Sequence, residues 1–213
     1  RRFGDYVTKQ YLIDKNEEAY AHVFVTHYPD EERPAARPLR TAPCYERMKD
    51  RGAVFGHKFG WERPNFFATD GMPQEDDWSF RRSKWFEAIR KEVANTTQNV
   101  GLLDMTAFAK CLVSGPGAEA CLDYFVANSL PKSAGGLSLA HALNSNGGVH
   151  SEFTIRRESD DSFYLVSAGA LQRLDHDYLK KHMPKDGSVQ FTQLTGAHGV
   201  LVLAGQIGRA SCR

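Results

Sequence analysis

Net charge is almost nil: 27 Lys and Arg stand against 26 Asp and Glu in 213 residues, leaving +1. Nucleic-acid-binding domains usually carry a basic footprint, with pI above about 9, so nucleic acid is not an expected partner. Long apolar runs are missing too. No stretch approaches the roughly 18 residues that a spanning helix needs, and no membrane segment is expected. Cysteine occurs only at Cys44, Cys111, Cys121 and Cys212, never as CxxC. With Cys212 set aside for the reason given below, the number is odd. A disulfide framework or zinc finger is therefore not expected, and a reducing compartment fits better. There is no GxSxG nucleophile elbow and no GxGxxG dinucleotide fingerprint. Ser114-Gly-Pro-Gly117 is glycine-rich but has no P-loop lysine, so it reads as a strand-to-helix turn. No repeat at a solenoid period is present.

What remains is an ordinary globular composition. The 41% apolar fraction, recounted with glycine and without tyrosine, is roughly 45%, the lower edge of the globular range. Length predicts one large domain or two modest ones. The first residue is Arg rather than Met and no signal sequence opens the chain, so the start reads as internal to a longer protein. Residues 199–205 read as a buried strand. Residues 206–213 then break the pattern and resemble one translated frame of a short-read sequencing adapter; they are set aside from fold reasoning.

The pattern of residues 16–28, with Ala19, Val23 and His27 at helical spacing and Glu17 and Glu18 in a first turn, predicts a helix. Pro29, Pro34 and Pro38 break regularity, and Arg33, Arg37 and Arg40 make a polar connector. A short helix over 43–50 ends at Gly52. Residues 53–61 read as a glycine-containing strand, hence one with a bulge or a close backbone approach. Residues 80–95 form the strongest predicted helix, with Trp85, Ile89 and Val93 recurring every four residues. Two short strands are expected within 100–113, and a helix after Gly115-Pro116 with Cys121, Leu122, Phe125 and Val126 inward. Strands follow at 137–143, 149–155 and 162–166, the first two joined at Asn146-Gly147, a hairpin dipeptide. A helix lined by Leu171, Leu174 and Tyr178 precedes strands near 189–194 and 200–203. Without a regular βαβ rhythm the fold class is α+β, with mixed or antiparallel sheets and packed helices.

Asp175-His-Asp177 with His182 offers metal-ligand types. His176 and Asp177 are adjacent, however, and cannot face one site from a helix, so a solvated helix face is expected and no metal. The segment from Asn144 to Ile155 is more informative. A tight glycine turn launches a strand on which Glu152 and Thr154 share one sheet face, while Ser151, Phe153 and Ile155 take the other. A carboxylate and a hydroxyl side by side can hydrogen-bond the amide-like edge of a heterocycle. They can equally be a polar pair on a solvated face.

Leu103-Asp-Met-Thr-Ala-Phe-Ala-Lys-Cys-Leu-Val-Ser-Gly-Pro-Gly-Ala118, Ala142-Leu-Asn-Ser-Asn-Gly-Gly-Val-His-Ser-Glu-Phe-Thr-Ile155 and Val200-Leu-Val-Leu-Ala-Gly205 together resemble the folate-binding aminomethyltransferase domain of the glycine-cleavage T-protein. Ala36-Arg-Pro-Leu-Arg-Thr-Ala-Pro43 and Phe59-Gly-Trp-Glu-Arg-Pro-Asn-Phe-Phe67 resemble the stretch joining flavin and folate parts in dimethylglycine and sarcosine dehydrogenases. The order of five motifs makes the likeness specific. It implies a connecting domain over residues 1–58, the N-terminal half of the folate domain over 59–205, and the tail over 206–213.

The resemblance further implies a fragment of an enzyme in which FAD, bound upstream of this chain, oxidises an N-methyl amine to an iminium. The folate domain then passes the one-carbon unit to tetrahydrofolate. Glu152 takes the position of the family's key carboxylate, a general base or electrostatic stabiliser, with Thr154, Phe108, Leu139 and Val166 as cofactor contacts. Many relatives carry Asp at position 152, and the longer side chain shifts the carboxylate by roughly 1 Å. Leu139 stands where a folate-touching Tyr is common, and Phe108, expected on the opposing Asp-Met-Thr strand, is the ring that could replace its stacking. The second half of the folate domain is missing, so the fragment alone is expected to be inactive and to bind folate poorly. Implied partners are a methylated amine, folate and an electron-transfer flavoprotein; the compartment is the cytoplasm, or the mitochondrial matrix in a eukaryote. Two alternatives stay open: a stand-alone aminomethyltransferase or folate-dependent demethylase, and a non-catalytic module that keeps the fold.

Overall fold

In the computed structural model, which describes residues 6–69 and 71–206, the chain divides into two units. One comprises residues up to 107 together with those from 199; the other is 108–198. The tail expected over residues 206–213 lies, past Gln206, outside the described residues. No helix among those described is long and apolar enough to cross a membrane.

In the first unit α1 (Lys9–Ala21) starts at Thr8, whose hydroxyl accepts the Tyr11 N–H at 3.0 Å. This N-cap satisfies an otherwise orphaned donor. It corrects the helix expected over 16–28: Glu18 sits not in a first turn but past the middle of α1, accepting from the Ala35 N–H at 2.7 Å. Val23 and Phe24 lie beyond the helix and are exposed. The tertiary use of Glu18, rather than the helix dipole, accounts for its place.

Helix α2 (Tyr45–Asp50) ends before Gly52, at φ +87°. The single strand expected over 53–61 is instead a hairpin. β1 (Ala53–Lys58) pairs antiparallel with β2 (Trp61–Phe67), and the bulge falls between Val54 and Phe55. The two residues between the strands, Phe59 and Gly60, have φ of +55° and +87°, the left-handed pattern that matches strand twist in a two-residue turn.

The two connector motifs meet here. Arg37 grips the buried Glu62 carboxylate through Nε at 2.9 Å and Nη2 at 2.5 Å, and Nη2 also donates to the Phe55 carbonyl at 2.9 Å. The Arg40 guanidinium stacks on the Trp61 ring at 4.0 Å, and the Glu62 N–H donates to the Arg40 carbonyl at 2.8 Å. Helix α3 (Trp85–Gln98) starts later than expected. It buries Ala88 against Val54 and Phe66, with Trp85 and Ile89 alongside, while Val93 stays exposed. β3 (Val100–Asp104) pairs antiparallel with β9 (Leu201–Gly205).

The second unit contains β4 (Ala109–Ser114), α4 (Ala118–Phe125), β5 (Leu137–Leu143), β6 (Val149–Ser159) and β7 (Ser162–Ser167). A 3-10 turn over Gly169–Leu171, α5 (Gln172–His182) and β8 (Gln190–Gln193) complete it. The five strands form one antiparallel sheet in the order β5-β6-β7-β4-β8. The strands expected within 100–113 are thus both present, but β3 and β4 belong to different sheets.

Along β6 the side chains of Ser151, Phe153, Ile155 and Arg157 are buried and those of Glu152, Thr154, Arg156 and Glu158 are exposed, as strict period-two alternation requires. Phe153 and Ile155 join Val113, Leu122, Phe125, Phe163, Leu165 and Leu179 in the main core. Gly115 makes the strand-to-helix turn at φ +114°, and a Cβ there would stand 2.4 Å from the Ser188 carbonyl oxygen. Gly115→Ala is expected to lower stability by about 3 kcal/mol through strain and overlap, read as a lower urea midpoint at unchanged slope.

Helix α5 departs from its expected face. Asp175 and Leu179 are buried, Tyr178 packs on the core, and Leu174 is exposed. The solvated-face reading therefore holds for Asp177, which meets Arg173 at 2.8 Å, but not for Asp175, which accepts the Ser167 hydroxyl at 2.6 Å. The Leu171, Leu174, Tyr178 spacing hid this because the inward stripe is rotated toward Asp175. Burial pushes the Asp175 carboxyl above its usual range, with the Ser167 hydroxyl and nearby His150 opposing. The neutral form is thus the better native form. Its stabilising contribution is full below about pH 4, the unfolded value, and is lost as pH rises through the folded value. Asp175→Asn removes this decline. The stability difference between Asp175→Asn and the parent should shift in favour of the variant from pH 4 to pH 7, by urea unfolding at each pH.

Candidate functional site

The sheet of the second unit has one face on the core; the other is open along β5 and β6 and closes toward β4, where Lys110 is buried. On the open face the register aligns Leu139 of β5 with Thr154 of β6, Val166 of β7 and the buried Lys110 of β4. Glu152 stands two residues before Thr154, on the same face, opposite His141. Four of the five residues singled out from the sequence, Glu152, Thr154, Leu139 and Val166, are therefore brought onto one surface by three neighbouring strands. Phe108 is not in that array. It lies in a bend immediately before β4 and is half-buried, rather than on the Asp-Met-Thr strand where it was expected.

The Glu152 side chain is 58% exposed, and its Oε2 lies 3.1 Å from His141 Nε2. The turn before it is pinned by the Asn144 side chain. Asn144 Oδ1 accepts the N–H groups of Asn146 and Gly148, both at 3.0 Å, and Gly147 has φ +79°. Leu139 is also exposed, presenting an apolar surface beside the Thr154 hydroxyl. The arrangement offers a hydrogen-bond acceptor, a hydroxyl and a flat aliphatic row, the donor set for the edge and face of a planar heterocycle. Among the described residues no group of three His, Cys, Asp or Glu could hold a metal ion. A cavity of about 440 Å³ lies against α1, lined by Lys15, Glu18, His22, His27 and Arg33 among others, and includes none of these residues.

His141 was missed by the sequence reading, although a signal was available. Counting outward from Asn146-Gly147 as the hairpin centre places His141 directly opposite Glu152, which is the observed register.

Five antiparallel strands backed by two helices on one face, with a polar-apolar row on the other, define an α+β domain built around an open sheet. The chain belongs to the GCVT N-terminal domain family, whose model matches residues 44–210; residues 1–42 match the FAD dependent oxidoreductase central domain. The chain is 32% identical over 210 residues to mitochondrial dimethylglycine dehydrogenase of Mus musculus, covering 98% of this chain and 24% of that protein. It is 31% identical over 174 residues to the mitochondrial pyruvate dehydrogenase phosphatase regulatory subunit of Mus musculus, covering 79% of this chain and 20% of that protein. Among solved structures, the glycine cleavage system aminomethyltransferase T from Bartonella henselae superposes with a TM-score of 0.64 at 24% identity, over 80% of this chain and 42% of that one. That likeness establishes the fold, α+β as the sequence implies. The chain spans about a quarter of the length of the dimethylglycine dehydrogenases it matches.

Proposed function

We propose that this chain supplies the tetrahydrofolate-binding, one-carbon-transfer part of an FAD-dependent N-methyl amine dehydrogenase. The observation that carries the reading is the row on the open sheet face, where the exposed Leu139 stands directly across from Thr154 with Glu152 two residues along the same strand. These residues fit the group: a carboxylate accepts from ring N–H donors, a hydroxyl serves either role, and the aliphatic surface takes the ring face. Tetrahydrofolate, when bound, supplies two nitrogens for the one-carbon unit of an iminium and the two N–H protons that leave with the released amine. Glu152 holds a nitrogen in place, takes one proton at its carboxylate and returns it to the amine, general-base work followed by general-acid work. Thr154 orients, and Leu139 with Val166 excludes water from the ring face.

No step proposed for this chain runs through flavin. Amine oxidation is assigned to the rest of the full-length protein, and an electron-transfer flavoprotein is its proposed acceptor. The proposed compartment is the mitochondrial matrix in a eukaryote, and otherwise the cytoplasm.

Titration of the full-length protein with tetrahydrofolate tests the reading: Glu152→Ala should weaken binding, and unaffected binding would count against the site. A non-catalytic module is the second reading, favoured by the exposure of Glu152 and by kinship with a protein named as a regulatory subunit. It predicts no tetrahydrofolate binding by the folded parent. A stand-alone aminomethyltransferase is disfavoured because residues 1–42 match an oxidoreductase domain.

A further inference from the structure

We propose that His141 is the positioning residue of the Glu152 carboxylate, itself held by Asn128; this rests on the reading of Glu152 given above. The two side chains face each other directly across β5 and β6, with His141 Nε2 3.1 Å from Glu152 Oε2. A glutamate more than half exposed would otherwise sample several rotamers, and a base that wanders is a poor base. The ring is anchored from its other side. Asn128 Oδ1 accepts the backbone N–H of His141 at 3.0 Å and lies 3.4 Å from Nδ1, and the Ala127 N–H donates to the His141 carbonyl at 2.9 Å. The segment after α4 is thereby fastened along β5.

The pinned amide oxygen matters chemically. Asn128 cannot turn its NH₂ toward the ring without giving up the backbone N–H. The amide oxygen therefore stays on the Nδ1 side of the ring, while Nε2 faces a carboxylate oxygen, which accepts when ionised. His141 thus donates to Oε2. Glu152 Oε1 carries no hydrogen bond among the described residues and is the oxygen left to meet a substrate nitrogen from the open face.

An exposed pair of this kind adds little to stability, which separates a positioning role from a merely structural one. The test uses full-length protein with His141→Leu, His141→Gln, Glu152→Gln and the double variant His141→Leu/Glu152→Gln. His141→Leu should lower the turnover number for one-carbon transfer to tetrahydrofolate by about 10–100-fold, the scale of a 1 Å misplacement. Its urea midpoint and its KM for tetrahydrofolate should stay near the parent's. His141→Gln, which keeps a donor N–H, should recover most of the loss. The double variant should be no slower than Glu152→Gln, because groups acting as a unit are not additive. In a ligand-free crystal structure of His141→Leu, the Glu152 carboxylate should leave the place it holds in the parent.

Unchanged transfer in His141→Leu alongside impaired Glu152→Gln overturns the role of His141 and leaves the folate reading standing. Unchanged transfer in Glu152→Gln overturns both. An unmoved Glu152 carboxylate in His141→Leu overturns the positioning claim whatever the rates.

Discussion

Glu152→Gln in the full-length protein is expected to slow one-carbon transfer to tetrahydrofolate by about 10²–10⁴-fold, the usual weight of a general base, while flavin reduction by the amine stays at the parent rate. The substitution keeps shape and hydrogen-bonding capacity and removes only the ability to take up a proton. Stability should hardly change, because the side chain is exposed and its partner among the described residues is the half-buried His141. The assay follows folate product and free formaldehyde together during amine turnover. The account predicts that the one-carbon unit lost from folate appears as formaldehyde. A proportional loss of both would place the defect in amine oxidation and away from this sheet.

Arg37→Met is expected to cost about 3–5 kcal/mol of stability, the range for breaking a buried pair by removing one partner. Glu62 is buried, and its carboxylate is gripped at both oxygens by Arg37. Those hydrogen bonds hold the guanidinium above its usual range despite burial. With the arginine gone, the buried Glu62 of β2 is left desolvated without its partner. Urea unfolding of the full-length protein should show the loss in the transition that includes this unit. Arg37→Met/Glu62→Leu should recover a substantial part, since exchanging both partners removes the stranded charge.

The sequence was most legible where one physical rule acted alone. Period-two alternation along β6 gave the inward Phe153 and Ile155 and the outward Glu152 and Thr154, and the Asn146-Gly147 turn gave the hairpin. It was least legible where a tertiary contact overrode the local pattern. Phe59 offers no turn signal, yet it takes a left-handed backbone because the β1–β2 pairing demands it. The Thr8 cap and the contacts of Glu18 set α1 against the spacing of Ala19, Val23 and His27. Asp175 is turned inward to meet the Ser167 hydroxyl through Oδ2, a tertiary contact that no helical spacing reveals. The placement of Phe108 failed for a related reason. The chain bends between β3 and β4 and sends them to different sheets, so a residue between them shares a face with neither by alternation alone.

A crystal structure of the full-length protein with tetrahydrofolate bound tests the central claim most directly. The account predicts a Glu152 carboxylate oxygen within about 3 Å of a folate nitrogen, with Leu139 against the ring face and the Thr154 hydroxyl at its edge. Folate bound elsewhere, with Glu152 still reaching only His141, would contradict it.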